Sequence, residues 1–332
     1  MITRRYLVGL AAASALAPVV LPRIARAQPS LSQSWPNRIV KLVAPFPPGG
    51  GTDVVARILS NRLSEVWRQQ VIVENKPGAG GNFGAEQVAR AEPDGYTILI
   101  AALPMAVNRF LFRSLAYDSI TDFAPVIMIC QFPNLLVVPN SSPVKTVQEL
   151  IAHGKANSGK LTFASSGVGT SPHLSGELFK RMAGFEMTHV PYRGVAPALS
   201  DVIPGRVDMM FNTAAGVLQQ VRAGQVRGLA VSTVKRSPTA PEFPTVAESG
   251  LPGFDVTSWY ALFVPVKTPA DIVKKINADT AAILAEPAIK TRLEQVGVEV
   301  VASTPQQLGA RLKAETDQWG PIIKGAGIKT QD

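Results

Sequence analysis

The sequence predicts an α/β protein of two domains, each a mixed, mostly parallel sheet flanked by helices. Three observations carry this. Short apolar runs alternate with amphipathic helical stretches from residue 38 onward. Glycine-rich turns sit between a strand and the following helix at 45–53 and again at 165–172. After an N-terminal targeting segment, about 300 residues remain, enough for two cores.

The targeting segment comes first. Thr3-Arg4-Arg5-Tyr6-Leu7 carries paired arginines, an apolar run follows over 7–21, and Ala25-Arg26-Ala27 offers a small-x-small cleavage site before Gln28. The run is short and its flanks fit an export signal cleaved after Ala27, not a membrane span. The paired arginines allow the twin-arginine route and equally suit general secretion. No later stretch is long enough to cross a bilayer. No lipobox cysteine follows the signal, so no lipid anchor is expected. The expected protein is soluble and exported, and periplasmic in a host with an outer membrane.

Loss of 1–27 removes four arginines and no acid, so the formal charge falls from +9 to +5. The remaining basic residues are scattered and not interleaved with aromatics, so no nucleic-acid partner is expected. A mild positive field favours anionic ligands. Cys130 is the single cysteine, which excludes an internal disulfide, and its apolar run over 126–132 marks a core thiol.

A strand over 38–44 leads into Pro45-Phe46-Pro47-Pro48-Gly49-Gly50-Gly51-Thr52-Asp53, and then Val55, Ile58, Leu59, Leu63 and Val66 recur at helical spacing. A strand, a glycine turn and a helix start present backbone N–H groups at the positive end of the helix, an anion site. Thr52 is the expected N-cap, or its hydroxyl reaches a ligand. A purely structural turn remains the alternative. The segment is not a P-loop, because Thr52-Asp53 stands where Lys-Ser/Thr belongs. It also lacks G-x-G-x-x-G, which the second cluster over 78–84 misses by one residue.

Strands follow over 71–74, 97–101 and 124–129, with a helix over 81–91 and a turn at Pro93-Asp94-Gly95. Residues 135–138 form a separate strand, Thr146 caps a helix to about Asn157, and 161–164 is a strand. Ser165-Ser166-Gly167-Val168-Gly169-Thr170-Ser171-Pro172 is the second special loop, with Ser171 as N-cap and Pro172 opening the helix. A third version has a strand over 207–211, a polar turn at Asn212-Thr213 and a helix over 214–222. Strands over 226–232 and 259–264 flank a proline-rich connection, and three helices end the chain. Ligands of open α/β sheets bind at the carboxyl ends of strands, so three such ends face one cleft.

On these residues the chain resembles the solute-binding receptors of tripartite tricarboxylate transporters, also called Bordetella uptake gene (Bug) receptors. The marks are 45–53, Glu74-Asn75-Lys76-Pro77-Gly78-Ala79-Gly80-Gly81, Asp94-Gly95-Tyr96-Thr97, 163–173, Val190-Pro191-Tyr192-Arg193-Gly194 and Pro244-Thr245-Val246-Ala247-Glu248. They cover essentially all of the mature chain. The resemblance implies a periplasmic-binding-protein architecture of the Venus flytrap, type II-like kind. Domain 1 then spans 36–136 plus 257–332, and an inserted domain 2 spans 137–256, with crossings near 133–138 and 255–262.

The resemblance further implies a small carboxylate ligand held largely by backbone N–H groups and ordered waters. No cofactor is implied. The partners are the large and small membrane subunits of the transporter, and the receptor is a monomer. The matching loops supply Phe46, Pro48, Gly49, Gly50, Gly51 and Thr52 from one side, and Ser166, Gly167, Gly169, Thr170 and Ser171 from the other. Ala102, Tyr192 and Asn212 complete the expected ligand-binding set. Phe46 either packs on the ligand or belongs to the core. Arg193 is read as a solvated surface residue. The family commonly has Asp where this chain has Asn212, which argues against an amino-acid ligand. The apolar 101–105 segment points to an acid with apolar or aromatic surface and one or two carboxylates.

Two other classes are weighed. His173 lies near Ser166 and Ser171, and Asp201 or Asp208 could complete a hydrolytic triad, but no G-x-S-x-G elbow is present. The three histidines, His153, His173 and His189, show no metal spacing. Catalysis is therefore not expected, and His173 is read as structural or solvent-facing. A receptor that presents its ligand to a membrane sensor is the other alternative.

Overall fold

A computed structural model describes residues 35–325 and 328; the export signal lies outside them. Ten strands form one continuous arrangement in the order β2-β1-β3-β9-β4-β7-β5-β6, with β8 and β10 also paired to β4. In chain order these are β1 (Val40–Ala44), β2 (Val71–Asn75), β3 (Thr97–Ala101), β4 (Phe123–Pro139), β5 (Leu161–Ser165), β6 (Met187–Pro191), β7 (Met209–Thr213), β8 (Val226–Val231), β9 (Thr257–Pro265) and β10 (Glu299–Val300). The helices are α1 (Gly51–Trp67), α2 (Asn82–Ala89), α3 (Pro104–Leu111), α4 (Val147–Ala156), α5 (Ser171–Ala183), α6 (Val195–Val202), α7 (Ala214–Arg222), α8 (Ala270–Leu284), α9 (Pro287–Gln295) and α10 (Pro305–Gly325).

Two parallel triplets give the α/β character: β2-β1-β3, and β6-β5-β7. Each parallel crossover carries helices, as parallel pairing requires. The antiparallel strands β9 and β4 lie between the triplets, so the sheet is mixed. Strand β3 reads TILIA, buried at every position after Thr97, which is the pattern of a strand covered on both faces.

The separate strands expected over 124–129 and 135–138 are one strand of 17 residues, β4. Its first part pairs with β9 as far as Pro133 opposite Thr257. From Asn134 onward it pairs with β7 and β8 instead. Gln131 and Pro133 lie within this strand. Antiparallel pairing on both sides carries the backbone through them, with two register irregularities taken up at 125–130.

Asn134 fixes this crossing. It is fully buried, and its Oδ1 accepts from Ser171 Oγ at 3.0 Å while its Nδ2 donates to Ser175 Oγ at 2.9 Å. Its N–H donates to Ser232 Oγ, and Ser232 Oγ donates to the Val256 carbonyl, one residue before β9. The start of α5 is therefore tied to both strands that pass between the lobes. On the other lobe, buried Trp259 donates through Nε1 to Glu315 Oε2 at 2.7 Å, which seats α10 against β9. Cys130 is fully buried, and burial pushes its thiol up, as a core cysteine should behave.

Asn134→Ala strands the buried Ser171 and Ser175 hydroxyls. We expect a loss of about 2–3 kcal/mol in unfolding free energy, read from urea denaturation at neutral pH.

Candidate functional site

The carboxyl ends of β1, β3, β5 and β7 open on one cavity. Each strand end feeds a helix whose first turn faces the cavity. Gly51 and Thr52 begin α1, Pro104 begins α3, and Ser171 and Pro172 begin α5; Val195 begins α6 and Thr213 precedes α7. The first N–H groups of a helix lack intrahelical partners. In α1 the first intrahelical bond is Val54 N–H to the Gly50 carbonyl, which leaves Gly51, Thr52 and Asp53 N–H free. Ser258 and Tyr260 on β9, together with Phe46, Pro47, Gly50, Ala102, Ser166, Thr170 and Gly194, complete the wall. No charged side chain lines it.

Asp53 shapes the first loop without entering the cavity. Its Oδ2 accepts from Gly49 N–H and from Arg57 Nε, both at 3.0 Å, and its Oδ1 accepts from Asn75 Nδ2. Asn75 Nδ2 also donates to the Phe46 carbonyl. Burial alone would raise this carboxyl. The hydrogen bonds from Arg57, Gly49 and Asn75 outweigh burial and hold it below the usual range. The carboxylate is thus consumed in fixing the glycine turn, where Gly49 has φ +81°.

Thr52 is not the N-cap. Gly50 holds that position with extended backbone and no side-chain cap, and the Thr52 hydroxyl instead bonds Tyr260 at the cavity wall. The second loop shifts likewise by one residue: Thr170 is the N-cap of α5, and the Ser171 hydroxyl goes to Asn134. Thr170 Oγ1 donates to the Gly167 carbonyl at 2.6 Å. Gly167 and Gly169 make the turn at φ +136° and +80°.

Of the fourteen expected site residues, the structure brings Phe46, Gly50, Gly51, Thr52, Ala102, Ser166, Thr170 and Ser171 to the cavity wall. Pro48, Gly49, Gly167, Gly169, Tyr192 and Asn212 lie outside it. Pro48 and Gly49 are exposed, and Gly49, Gly167 and Gly169 shape turns. The Tyr192 hydroxyl donates to Asp201 Oδ2 at 2.7 Å; burial first, then Asp201, pushes its phenol up to about 12. Asn212 is inside β7, opposite Leu135, rather than in a turn. Successive strand residues face opposite ways, so its neighbour Thr213 reaches the cavity. Asn212 is therefore not a wall residue, and no carboxylate lines the wall. Arg193 is exposed and outside the wall.

The residues missed from sequence are Pro47, Pro104, Pro172, Gly194, Val195, Thr213, Ser258 and Tyr260. Pro104 carried a signal: proline at the first helical position, followed by Val107 and Leu111 at helical spacing. Ser258 and Tyr260 carried none, because β9 reaches the site only by antiparallel insertion between β3 and β4.

The histidines form a buried support. The His173 and His189 rings stack at 4.1 Å, and Phe163 stacks on His189 at 4.7 Å. His173 Nδ1 accepts from Gly169 N–H at 3.2 Å, and His189 Nε2 meets Ser165 Oγ at 2.7 Å. Ser165 is fully buried and outside the cavity wall, so this Ser–His contact props the loop rather than facing the cavity. Burial, then His189 and Lys180, depresses His173 to about 3; burial, then Lys180, depresses His189 to about 4.

Two predictions follow from these contacts. An added Cβ at Gly51 would stand 2.4 Å from the Tyr260 hydroxyl and 3.0 Å from Ala215 Cβ. Gly51→Ala should separate α1 from α7 and weaken ligand binding at least tenfold, measured by titration calorimetry. Because both histidines have folded values below their unfolded value of about 6.5, the unfolded chain takes up protons that the native state refuses. Stability should fall as pH drops from about 6.5 toward 4, each histidine adding up to about 1.4 kcal/mol per pH unit. In urea titrations His189→Phe should lower that slope by up to one proton's share, and an unchanged slope would contradict the assignment.

Residues 55–328 match the profile described as tripartite tricarboxylate transporter family receptor. Among solved structures, Rpa4515 of R. palustris with adipate is 40% identical, with TM-score 0.87, covering 90% of this chain and 100% of that one. The periplasmic binding protein BugD is 36% identical, with TM-score 0.85, over 90% of this chain and 100% of its own. MatC from Rhodopseudomonas palustris with bound malate is 33% identical, with TM-score 0.83, over 87% and 100%. These relatives are solute-binding receptors and not enzymes. With its two-lobed α/β fold and its cavity between opposed helix starts, the chain belongs to the tripartite tricarboxylate transporter receptor family, the Bug receptors.

Proposed function

We propose that this protein is a periplasmic receptor that captures a small carboxylate in the cavity and hands it to the large and small membrane subunits of a tripartite transporter. The observation that carries the reading is the convergence of five helix starts on a cavity without charged side chains. An anion is the ligand that such a field favours. Adipate and malate in the two R. palustris relatives support the same ligand class. An acid with an apolar or aromatic skeleton and one or two carboxylates fits the wall of Phe46, Ala102, Pro104 and Val195 better than an amino acid does.

The lobes, proposed as 36–136 plus 257–332 and 137–256, close around the ligand, which stabilises the closed state. Close approaches across the cleft support this motion. Cβ atoms added at Gly80 and Gly194 would come within 2.6 Å of the Val168 carbonyl and 3.1 Å of Pro47 Cγ. The receptor acts as a monomer. Residues 1–27 are removed after Ala27 on export.

The test uses residues 28–332, refolded from denaturant to strip any carried ligand, in a thermal-shift screen of mono- and dicarboxylic acids. Binding to the native state alone raises the melting temperature by mass action. We expect a concentration-dependent rise with at least one apolar mono- or dicarboxylate, recovered chemically unchanged. A flat response to every acid, or highest affinity for glutamate or citrate, would contradict the ligand assignment.

A further inference from the structure

Two buried asparagines sit on the paired strands β4 and β7. Asn134 on β4 bonds Ser171 through Oδ1 and Ser175 through Nδ2. Asn212 on β7 is buried as completely, at 0% exposure, yet no protein group among the described residues bonds its Oδ1 or its Nδ2. An unmet buried amide is costly, and at Asn134 the fold sets hydroxyls beside one. Packing alone would favour an apolar side chain at 212, as Met210 is two residues earlier on the same face of β7.

The amide is directed at the start of α7. A Cβ added at Gly216, in the first turn of that helix, would stand 3.2 Å from Asn212 Oδ1, 2.9 Å from Thr213 Oγ1 and 3.3 Å from Val195 Cγ2. Thr213 and Val195 belong to the cavity wall, so the amide lies directly behind it. Thr213 holds the N-cap position of α7, but its side chain does not cap the helix. Its hydroxyl lacks a well-aligned hydrogen bond, and the Tyr260 phenol beside it also meets Thr52. The first N–H groups of α7, the Thr213 hydroxyl and the Asn212 amide therefore converge on one small polar space, which glycine at 216 keeps clear.

The donors and acceptors define what fits there. Whichever way the amide is turned, it offers one donor and one acceptor. A carboxylate only accepts, so it would leave the amide carbonyl facing it. An ammonium only donates, so it would face the amide N–H and the positive end of the helix. A hydroxyl both donates and accepts, and so does a water that links it to the amide. Because the wall lies between, the Thr213 hydroxyl or one such water carries the contact from Asn212 to the ligand.

Resting on the carboxylate reading above, we propose that Asn212 and Thr213 at the start of α7 form a subsite for a hydroxyl group on the bound acid, so that the receptor selects a hydroxy acid over the same acid without the hydroxyl. Thr213 touches the ligand, and Asn212 is the positioning residue behind it. An apolar skeleton that bears one hydroxyl suits both this subsite and the wall of Phe46, Ala102 and Pro104.

Titration calorimetry on residues 28–332, refolded from denaturant, tests this with saturated mono- and dicarboxylates of three to six carbons, benzoate, and the hydroxy counterpart of each. In the wild type the best hydroxy acid should bind at least about tenfold tighter than its parent acid. Asn212→Leu keeps the volume and removes both polar atoms, and should cut that ratio to within about twofold. A folded Asn212→Leu protein that keeps the wild-type ratio overturns the subsite, as does a wild type that binds the parent acids as tightly as the hydroxy acids or more so. If Asn212→Leu does not fold, Thr213→Val decides in the same way: loss of the ratio supports the subsite, and a ratio kept at the wild-type value overturns it. A wild type that binds none of these acids overturns the carboxylate reading itself, a result distinct from binding that ignores the hydroxyl.

Discussion

The rest of the structure depends on one electrostatic constraint: several helices begin at the same small space. Their unpaired N–H groups must be solvated by something, and a cavity walled by Phe46, Pro104 and Val195 holds little water. Taking a lone carboxylate out of water costs several kcal/mol. Each charge-assisted hydrogen bond offsets about 1.5–3 kcal/mol of that, so roughly three or four N–H or O–H donors are needed. The free N–H groups of α1 and α5, with the hydroxyl of Ser166, supply that number without a buried arginine. A fixed cation would select charge alone. Oriented backbone donors select charge together with the position of the carboxylate oxygens.

The remaining architecture keeps those starts in place. Asp53 spends its charge on Gly49, Arg57 and Asn75, so the first loop is rigid without adding a negative group to the cavity. The stacked Phe163, His189 and His173 rings hold the second loop from behind, through Gly169 and Ser165. Asn134 connects α5 to the strands that cross between lobes. Movement of one lobe against the other is therefore transmitted to the start of α5, which is where a ligand's contacts would bias the equilibrium.

Local patterns in the chain were enough for most of the fold. Residues 97–101 and 214–222 match β3 and α7 to the residue, because each carries a continuous apolar or amphipathic signal bounded by turn residues. What stayed hidden was nonlocal. Strand β4 read as two pieces because its continuity comes from partners 73 and more residues away in β7, β8 and β9. The site was legible at its loops, where glycine and hydroxyl residues cluster before helix starts. It was misread where one residue of phase matters: Thr170 for Ser171 as N-cap, and Thr213 for Asn212 at the cavity. Ser258 and Tyr260 had no local signature, since only the antiparallel insertion of β9 brings them beneath the cleft.

The most direct measurement of the central claim is the ionisation of the bound acid. A carboxylate held by oriented N–H groups is stabilised in its charged form, so its pKa falls on binding. The account predicts that a ¹³C-carboxyl-labelled ligand, titrated by NMR in complex with the protein, shows a pKa below its value in water. Amide shifts at Gly51, Thr52 and His173 should accompany binding. A bound pKa equal to or above the free value, with those amides unmoved, would mean that the helix starts do not hold the acid.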